Sequence, residues 1–258
     1  MDPYIFRIGR FGLKWYSTLI VSGILIDYII ARRYFKKRGW RSEELDEALL
    51  FGVIVGIICA RCYYVIFEWE FFKHNPAEIY KIWHGGIAIH GGLIGAILAV
   101  WIYTRKKRSF SFLEGLDVMS WLFPLAQAIG RWGNFFNHEA YGTPTNLPWK
   151  MFVPPMYRMP GFERFEYFHP TFLYESIWDI LTFVLLSLYV KKHYKRPGEI
   201  TALYLNLYSM GRIMVEGLRT DSLWLGNIRV AQLFSAIAML AGGLWYLWLV
   251  REHEARGS

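Results

Sequence analysis

The sequence predicts an all-α membrane protein: one integral domain over residues 1–258 with seven transmembrane helices, the N-terminus outside and the C-terminus cytoplasmic. Three observations predict it. The chain is 54% hydrophobic and 19% aromatic with a mean hydropathy of +0.21, and its apolar residues are gathered into long blocks. Its twelve Trp and seventeen Tyr sit largely near the ends of those blocks, where amphipathic rings meet the headgroup level of a bilayer. Its basic residues fall in short clusters between the blocks, the pattern of topology signals. The net charge of +8 and the pI of about 9.4 therefore speak for membrane orientation, and nucleic acid is not expected as a partner.

A spanning helix needs about 20 mostly apolar residues. Seven stretches meet this, at about 13–31, 48–67, 86–104, 111–132, 172–190, 199–218 and 230–250. The first is expected to be a retained span, because no A-x-A cleavage site follows it and its stronger basic cluster comes after it. Arg32, Arg33, Lys36, Lys37, Arg38 and Arg41 follow span one, Arg105 to Arg108 follow span three, and Lys191, Lys192, Lys195 and Arg196 follow span five. Arg251 and Arg256 come after span seven. With seven spans all four clusters share one side, which positive charge marks as cytoplasmic. The only long connection, about 133–171, is rich in Pro and aromatics and falls outside; a loop of this length in a tight bundle is usually functional.

Ionisable groups near spans are costly and mark function unless they reach water. The assigned topology brings one set to the outer end of the bundle: Trp15 and Tyr16 of span one, Arg61 of span two, His90 of span three, and Gln127, Arg131 and Asn134 of span four. His169, Tyr174 and Glu175 open span five, while Arg212, Glu216 and Arg219 close span six. Arginines kept outside against the topogenic bias need a ligand. Arg212, Glu216 and Arg219 stand at i, i+4 and i+7, on one helix face. The planar guanidinium fork binds phosphate bidentately, so Arg131, Arg212 and Arg219 at one depth form a clamp for a phospholipid headgroup. Gly85, Gly86, Gly91, Gly92 and Gly95 around His90 allow close approach of a backbone or a lipid. His90 is either a packed histidine or a proton carrier.

Other chemistries lack their residues. Cys59 and Cys62 lie within an apolar block and are expected as small core side chains, not metal ligands. His138-Glu139 begins a zincin pattern without its second His, and there is no G-x-S-x-G elbow or Walker A sequence. No metal and no cofactor is expected.

GRWGNFFNHEAYG, residues 130–142, matches G-R-x-G-N-F-x-N-x-E-x-x-G at every specified position. By this run the sequence resembles the bacterial prolipoprotein diacylglyceryl transferases. HGGLIG (90–95), HPTFLYE (169–175) and GRIMVEGLR (211–219) are similar to further blocks of that family in the same order, so the resemblance covers nearly the whole chain. Two local departures stand out: Phe172, where many members have Gln, and Cys59 and Cys62, where many are Gly-rich.

The resemblance implies transfer of the diacylglyceryl group of phosphatidylglycerol to the thiol of a lipobox cysteine in a preprolipoprotein signal peptide, at the outer face of the bacterial cytoplasmic membrane, among membrane lipids. It implies His90, Arg131 and Arg212 as catalytic residues. Phosphatidylglycerol would be bound by Arg131, Asn134, Asn137, Glu139, Gly142, Tyr16, Arg61, Glu216 and Arg219. In this reading the arginines hold the phosphodiester, Asn134 and Asn137 supply neutral hydrogen bonds, and Glu139 and Glu216 fix the arginines. Gly142 lets the loop close, and His90 is the leading base unless the arginines alone acidify the thiol. A binding or flipping protein for anionic lipids and an intramembrane phospholipid hydrolase are the alternatives.

Overall fold

The computed structural model describes residues 2–9, 11–106 and 108–257, so Lys107 of the third basic cluster lies outside the described residues, as does the side chain of Arg256. The chain is 68% helical. Its helices are α1 (Trp15–Arg38), α2 (Ser42–Phe67), the single turn α3 (Trp69–Phe72), α4 (Ile89–Thr104), α5 (Phe112–Asn137), α6 (Thr171–Lys192), α7 (Glu199–Glu216) and α8 (Val230–Gly257). Each of the seven expected stretches carries one of the long helices. Several helices outrun the apolar block: α1 continues to Arg38, α2 begins at Ser42 and α5 runs on to Asn137. In α1 and α2 hydropathy stops where charge begins, but Arg, Lys and Glu are good helix formers and continue the helix; the last residues of α5 are held by aromatic packing of Phe135 and Phe136. The long connection therefore opens at His138 and not near 133, and the first eight signature residues are helical.

Four helices (α1, α2, α6 and α8) are long and apolar enough to cross a membrane, and α4 is a shorter apolar helix. Leu50, Ile54 and Ile58 on α2 are exposed at four-residue spacing, as are Leu240 and Leu244 on α8. Apolar stripes of this length face lipid and not water. The chain is thus a helical membrane protein. α5 and α7 fall below the apolar threshold because they carry Asp117, Arg131, Glu199, Arg212 and Glu216.

Three two-stranded antiparallel hairpins add to the expected all-α architecture: β1 (Tyr4–Ile8) with β2 (Phe11–Lys14), β3 (Met151–Phe152) with β4 (Tyr167–Phe168), and β5 (Trp224–Leu225) with β6 (Ile228–Arg229). All three lie between or before the long helices, where short aromatic-rich runs can pair without a larger sheet.

The chain divides into two compact units, one of Met1–Ile30 with Asp117–Ser258, the other of Ala31–Leu116. In the second unit α2 packs on α4 through small residues. A Cβ on Gly95 would lie 2.8 Å from Cys59 Cβ and from Gly56 Cα, and one on Gly91 would lie 2.5 Å from the Cys59 carbonyl oxygen. HGGLIG is thus a helix-crossing surface, where backbones meet by shape because lipid offers no hydrophobic drive. Cys59 is part of that contact, whereas Cys62 is exposed. The expectation of two core cysteines fails for Cys62, which turns off the α4-facing side. The buried Glu44 carboxylate accepts from the Ser109 amide and hydroxyl at 2.8 Å each.

In the first unit, Gly242 of α8 meets Asn206 and Ala202 of α7 at distances no Cβ could occupy. Buried Asp117 of α5 accepts from Gly198 N at 2.6 Å, from Thr201 N and Oγ1 at 2.8 Å each, and from Tyr194 OH at 3.0 Å. One carboxylate thereby fastens the α6–α7 turn to α5. The connection after α5 has its own core of Tyr141, Met151, Val153, Phe168 and Phe172.

Gly95→Leu is expected to lower the melting temperature of the purified protein by an overpacking cost of about 1–3 kcal/mol or more. Gly52→Ala, whose added Cβ meets nothing within 4 Å, leaves the melting temperature unchanged or slightly raised. Equal melting temperatures for Gly95→Leu and the native protein would refute the glycine contact.

Candidate functional site

The site is built in the first unit, from the last turns of α5 and α7 and the first turns of α6. Three aromatic residues of the signature orient α5. Trp132 and Phe135 pack on Phe172 with ring centroids 5.4 and 5.0 Å apart, and Phe136 stacks on Trp15 at 4.7 Å. Phe172 is therefore buried among rings, which gives the departure from Gln a local apolar setting. Gly133 leaves room for Tyr16, whose ring lies 2.5 Å from where a Cβ would stand. With its aromatic side chains committed, α5 presents Arg131, Asn134 and Asn137 to the polar interior.

Arg131, Arg212 and Arg219 converge on one carboxylate. Glu175, in the first turns of α6, has Arg131 Nη1 at 3.1 Å from one oxygen, and Arg212 Nη1 at 2.6 Å and Arg219 Nη1 at 3.6 Å from the other. Asp179, one turn further along α6, lies 4.0 Å from Arg131 Nε. Arg212 also meets Glu216 at 2.6 Å, the expected i,i+4 pair. α7 ends at Glu216, so Arg219 does not share the helix face. It lies in the following turn, where Asp221 grips it through Nε at 2.9 Å and Nη2 at 2.7 Å. Burial raises the Asp221 pKa, but the bonds and charge of Arg219 outweigh it and hold the carboxyl below its ordinary value.

The layering matters more than the sum of charges. Glu175 and Glu216 side chains are 6% and 2% exposed, while those of Arg131, Arg212 and Arg219 are 20%, 18% and 12% exposed. The carboxylates lie behind and the guanidinium groups in front. A narrow cavity of about 10 Å³ lies at this point, lined by Arg131, Glu175, Asp179 and Arg212 among others, which is room for about one water. A second cavity of about 480 Å³ is bordered by Asn137 and Glu139.

Glu139 is placed differently from expectation. It accepts from Asn134 Nδ2 at 2.9 Å and Asn137 Nδ2 at 3.1 Å, so it fixes the asparagines, while Glu175 and Glu216 fix the arginines. Gly142 is sewn in place: its N–H donates to the His169 carbonyl at 2.9 Å, it bridges to Arg219, and a Cβ would lie 2.8 Å from His169 Cβ and 3.0 Å from the Leu218 oxygen. Its smallness brings three chain segments together. His169 Nδ1 and Trp149 Nε1 both reach the Tyr174 hydroxyl, at 3.1 and 2.9 Å.

His90 and Arg61 belong to the second unit. His90 is the second residue of α4, exposed, with its ring 6.0 Å from that of Tyr63. Arg61 is buried and donates to four backbone carbonyls: Glu78 at 2.5 Å, Ile79 at 2.8 Å, and Gly85 and Gly86 at 2.7 Å each. Its guanidinium group organises the loop before α4. That loop is also held by Glu78, whose carboxyl is kept below its ordinary value by hydrogen bonds from Lys81 and then His84.

Sequence reasoning grouped Glu175 with the arginines without giving it a role, and it missed Asp179 and Asp221. The signal for the first two was present: two acids four residues apart in an apolar span, each too costly to leave unpaired.

An apolar helical scaffold with a buried guanidinium–carboxylate cluster defines a polytopic membrane protein with an internal polar site. Residues 3–249 match the family model described as prolipoprotein diacylglyceryl transferase. The chain is 55% identical to the phosphatidylglycerol–prolipoprotein diacylglyceryl transferase of Fervidobacterium nodosum, over 99% of this chain and 87% of that protein. It is 54% identical to the protein of the same name from Thermotoga maritima, with the same coverage, and 46% identical to that of Gloeobacter violaceus over 95% and 92%. The chain belongs to the prolipoprotein diacylglyceryl transferase family.

Removing the shared acceptor by Glu175→Ala leaves several buried guanidinium groups facing one another. It is expected to cost about 3–5 kcal/mol of stability, as loss of one partner of a buried ion pair does. Thermal unfolding in detergent measures this, and a melting temperature equal to the native value would show that the cluster does not depend on Glu175.

Proposed function

We propose that the chain transfers the diacylglyceryl group of phosphatidylglycerol to the lipobox cysteine of a preprolipoprotein signal peptide, releasing glycerol phosphate. The observation that carries this reading is the convergence of Arg131, the signature arginine, with Arg212 and Arg219 on Glu175. The names of the relatives, 43–55% identical, point the same way.

In the proposed reaction the thiol sulfur attacks the glycerol carbon that bears the phosphate ester. The new C–S bond is a thioether, the C–O bond to phosphate breaks, and the electron pair leaves with glycerol phosphate. The thiolate is the nucleophile; His90 takes the thiol proton in this reading. Arg131 and Arg212 stabilise the charge that grows on the leaving phosphate, as fixed donors do in an oxyanion hole. Arg219 and Glu216 hold that pair in register, and Tyr16, Asn134, Asn137 and Glu139 bind the polar part of the lipid. Gly142 keeps the loop close enough to border it, and Arg61 shapes the loop that leads into α4. No cofactor enters this scheme.

The seven long helices are proposed to cross the bacterial cytoplasmic membrane, with the site towards the outside, the N-terminus outside and the C-terminus inside. Basic last turns on α1 and α6 support this orientation. In a variant without the native cysteines, an impermeant thiol reagent added to intact cells should label Asn227→Cys. It should label Lys106→Cys only after the membrane is opened, and the reverse pattern would overturn the topology.

Purified protein incubated with phosphatidylglycerol and a lipobox peptide should add the mass of diacylglycerol to the peptide. Glycerol phosphate release without peptide would instead identify a hydrolase, and no reaction by well-folded protein would leave a lipid binder. Arg131→Lys keeps the charge but loses the planar fork, so turnover should fall by about 2 orders of magnitude, as for loss of one oxyanion donor. Near-native turnover would refute the clamp.

A further inference from the structure

The larger cavity of the first unit borders the proposed lipid residues Asn137 and Glu139 but extends well beyond them. It has a volume of about 480 Å³, and its walls include Tyr4 and Lys14 of the first hairpin, Glu139, Tyr157, Met159 and Asp221. That volume falls within the roughly 300–1,000 Å³ of pockets that enclose a drug-sized ligand. A three-carbon polyol headgroup would leave most of it unfilled.

Its charges do not suit a phosphate either. One lysine stands against two carboxylates, and Asp221 remains ionised because Arg219 holds it. Tyrosine rings and a methionine offer adaptable apolar and hydrogen-bonding contacts, the chemistry of peptide recognition. The rim is also built under constraint. His138 and Ala140 both line the cavity with left-handed backbones, at φ 53° and 55°. Non-glycine residues in that region cost of order 1–3 kcal/mol each and persist where the surroundings fix them, often at ligand clamps. Here the fixing is visible: the Tyr141 hydroxyl donates to the Tyr157 carbonyl at 2.9 Å and accepts from Met159 N–H at 2.6 Å, and Thr220 donates to the Tyr141 carbonyl at 3.1 Å.

The cavity is also continuous in residues with the proposed reaction site. Asn137 and Glu139 border it, and Asp221 links it through Arg219 to Glu175. We infer that this cavity binds the polar, uncharged or basic segment of the acceptor polypeptide that follows the modified cysteine. The inference rests on the transferase reading. It assigns the acceptor a second point of attachment beyond its hydrophobic stretch, so that the segment already outside the membrane helps to present the thiol.

The test uses the full-length protein in bilayer discs containing phosphatidylglycerol, with three peptides that share one hydrophobic stretch and one lipobox. One ends at the cysteine as an amide, one continues with Ser-Asn-Ser-Asn, and one continues with four aspartates. The Ser-Asn extension is expected to lower KM about tenfold, equivalent to 1.4 kcal/mol, with little change in kcat. The aspartate extension is expected to give no gain. Met159→Trp, which fills the cavity, should remove the advantage of the Ser-Asn peptide and leave the truncated peptide unaffected. Equal KM for the truncated and Ser-Asn peptides overturns the inference while leaving the transferase reading standing. Equal benefit from the aspartate extension overturns the stated chemistry. Transfer to none of the three defeats the transferase reading itself. If Met159→Trp also slows the truncated peptide, the variant is misfolded and the native series decides alone.

Discussion

A carboxylate taken out of water without partners costs several kcal/mol, and Glu175 is almost wholly buried. It is stable there because guanidinium groups from two other parts of the chain close on its two oxygens. The obligation is mutual. Arg131 at the end of α5, Arg212 in α7 and Arg219 beyond it are equally costly in an apolar bundle, and each finds an acid. The ends of three helices are therefore located relative to one another by charge and not by shape alone. In a lipid environment this matters more than in water, because apolar packing between helices gains nothing from leaving solvent.

The same device recurs at Asp117, which gathers the α6–α7 turn onto α5 with four hydrogen bonds. Between these two carboxylates the helices can present leucine and isoleucine to lipid without losing their arrangement. The second unit uses the other available solution. Gly91 and Gly95 of α4 lie against Gly56, Cys59 and Ala60 of α2 at backbone distance, so close van der Waals contact fixes that pair. Arg61 then converts the loop before α4 into an ordered segment by satisfying its carbonyls, which would otherwise lack partners.

Seven long helices, the grouping of Arg131, Arg212 and Arg219 and the family signature at Gly130 to Gly142 were legible in the sequence, because hydropathy, basic clusters and one dense motif report them directly. Less legible was which acid serves which arginine. Glu216 was readable from its i,i+4 relation to Arg212. Glu175 was not, since its partners lie 37 and 44 residues further along the chain and 44 residues before it. Glu139 looked like an arginine partner by proximity in the motif, yet the left-handed residues on either side turn it back towards Asn134 and Asn137. Helix ends of α1 and α2 were misjudged because hydropathy follows apolar residues, whereas charged residues of good helix propensity carry the helix on.

The abundance of acids in a site proposed to stabilise a phosphate has a physical rationale. Three arginines alone would bind any phosphate tightly, lipid and product alike, and uniform binding does not accelerate a reaction. Glu175, Asp179, Glu216 and Asp221 offset much of that attraction. They also remove the freedom of the guanidinium groups, whose exposed edges stay in one geometry. The lipid phosphodiester carries one negative charge, and more charge gathers on the leaving oxygen as the C–O bond breaks. Fixed donors with little surplus charge favour that growing charge over the ground state. The same balance lets glycerol phosphate depart, because a clamp whose charge is offset by its own acids holds the free product less firmly than bare arginines would. The acids behind the arginines thus serve the fold, which needs buried charges paired, and in the proposed reaction also turnover, which needs them restrained.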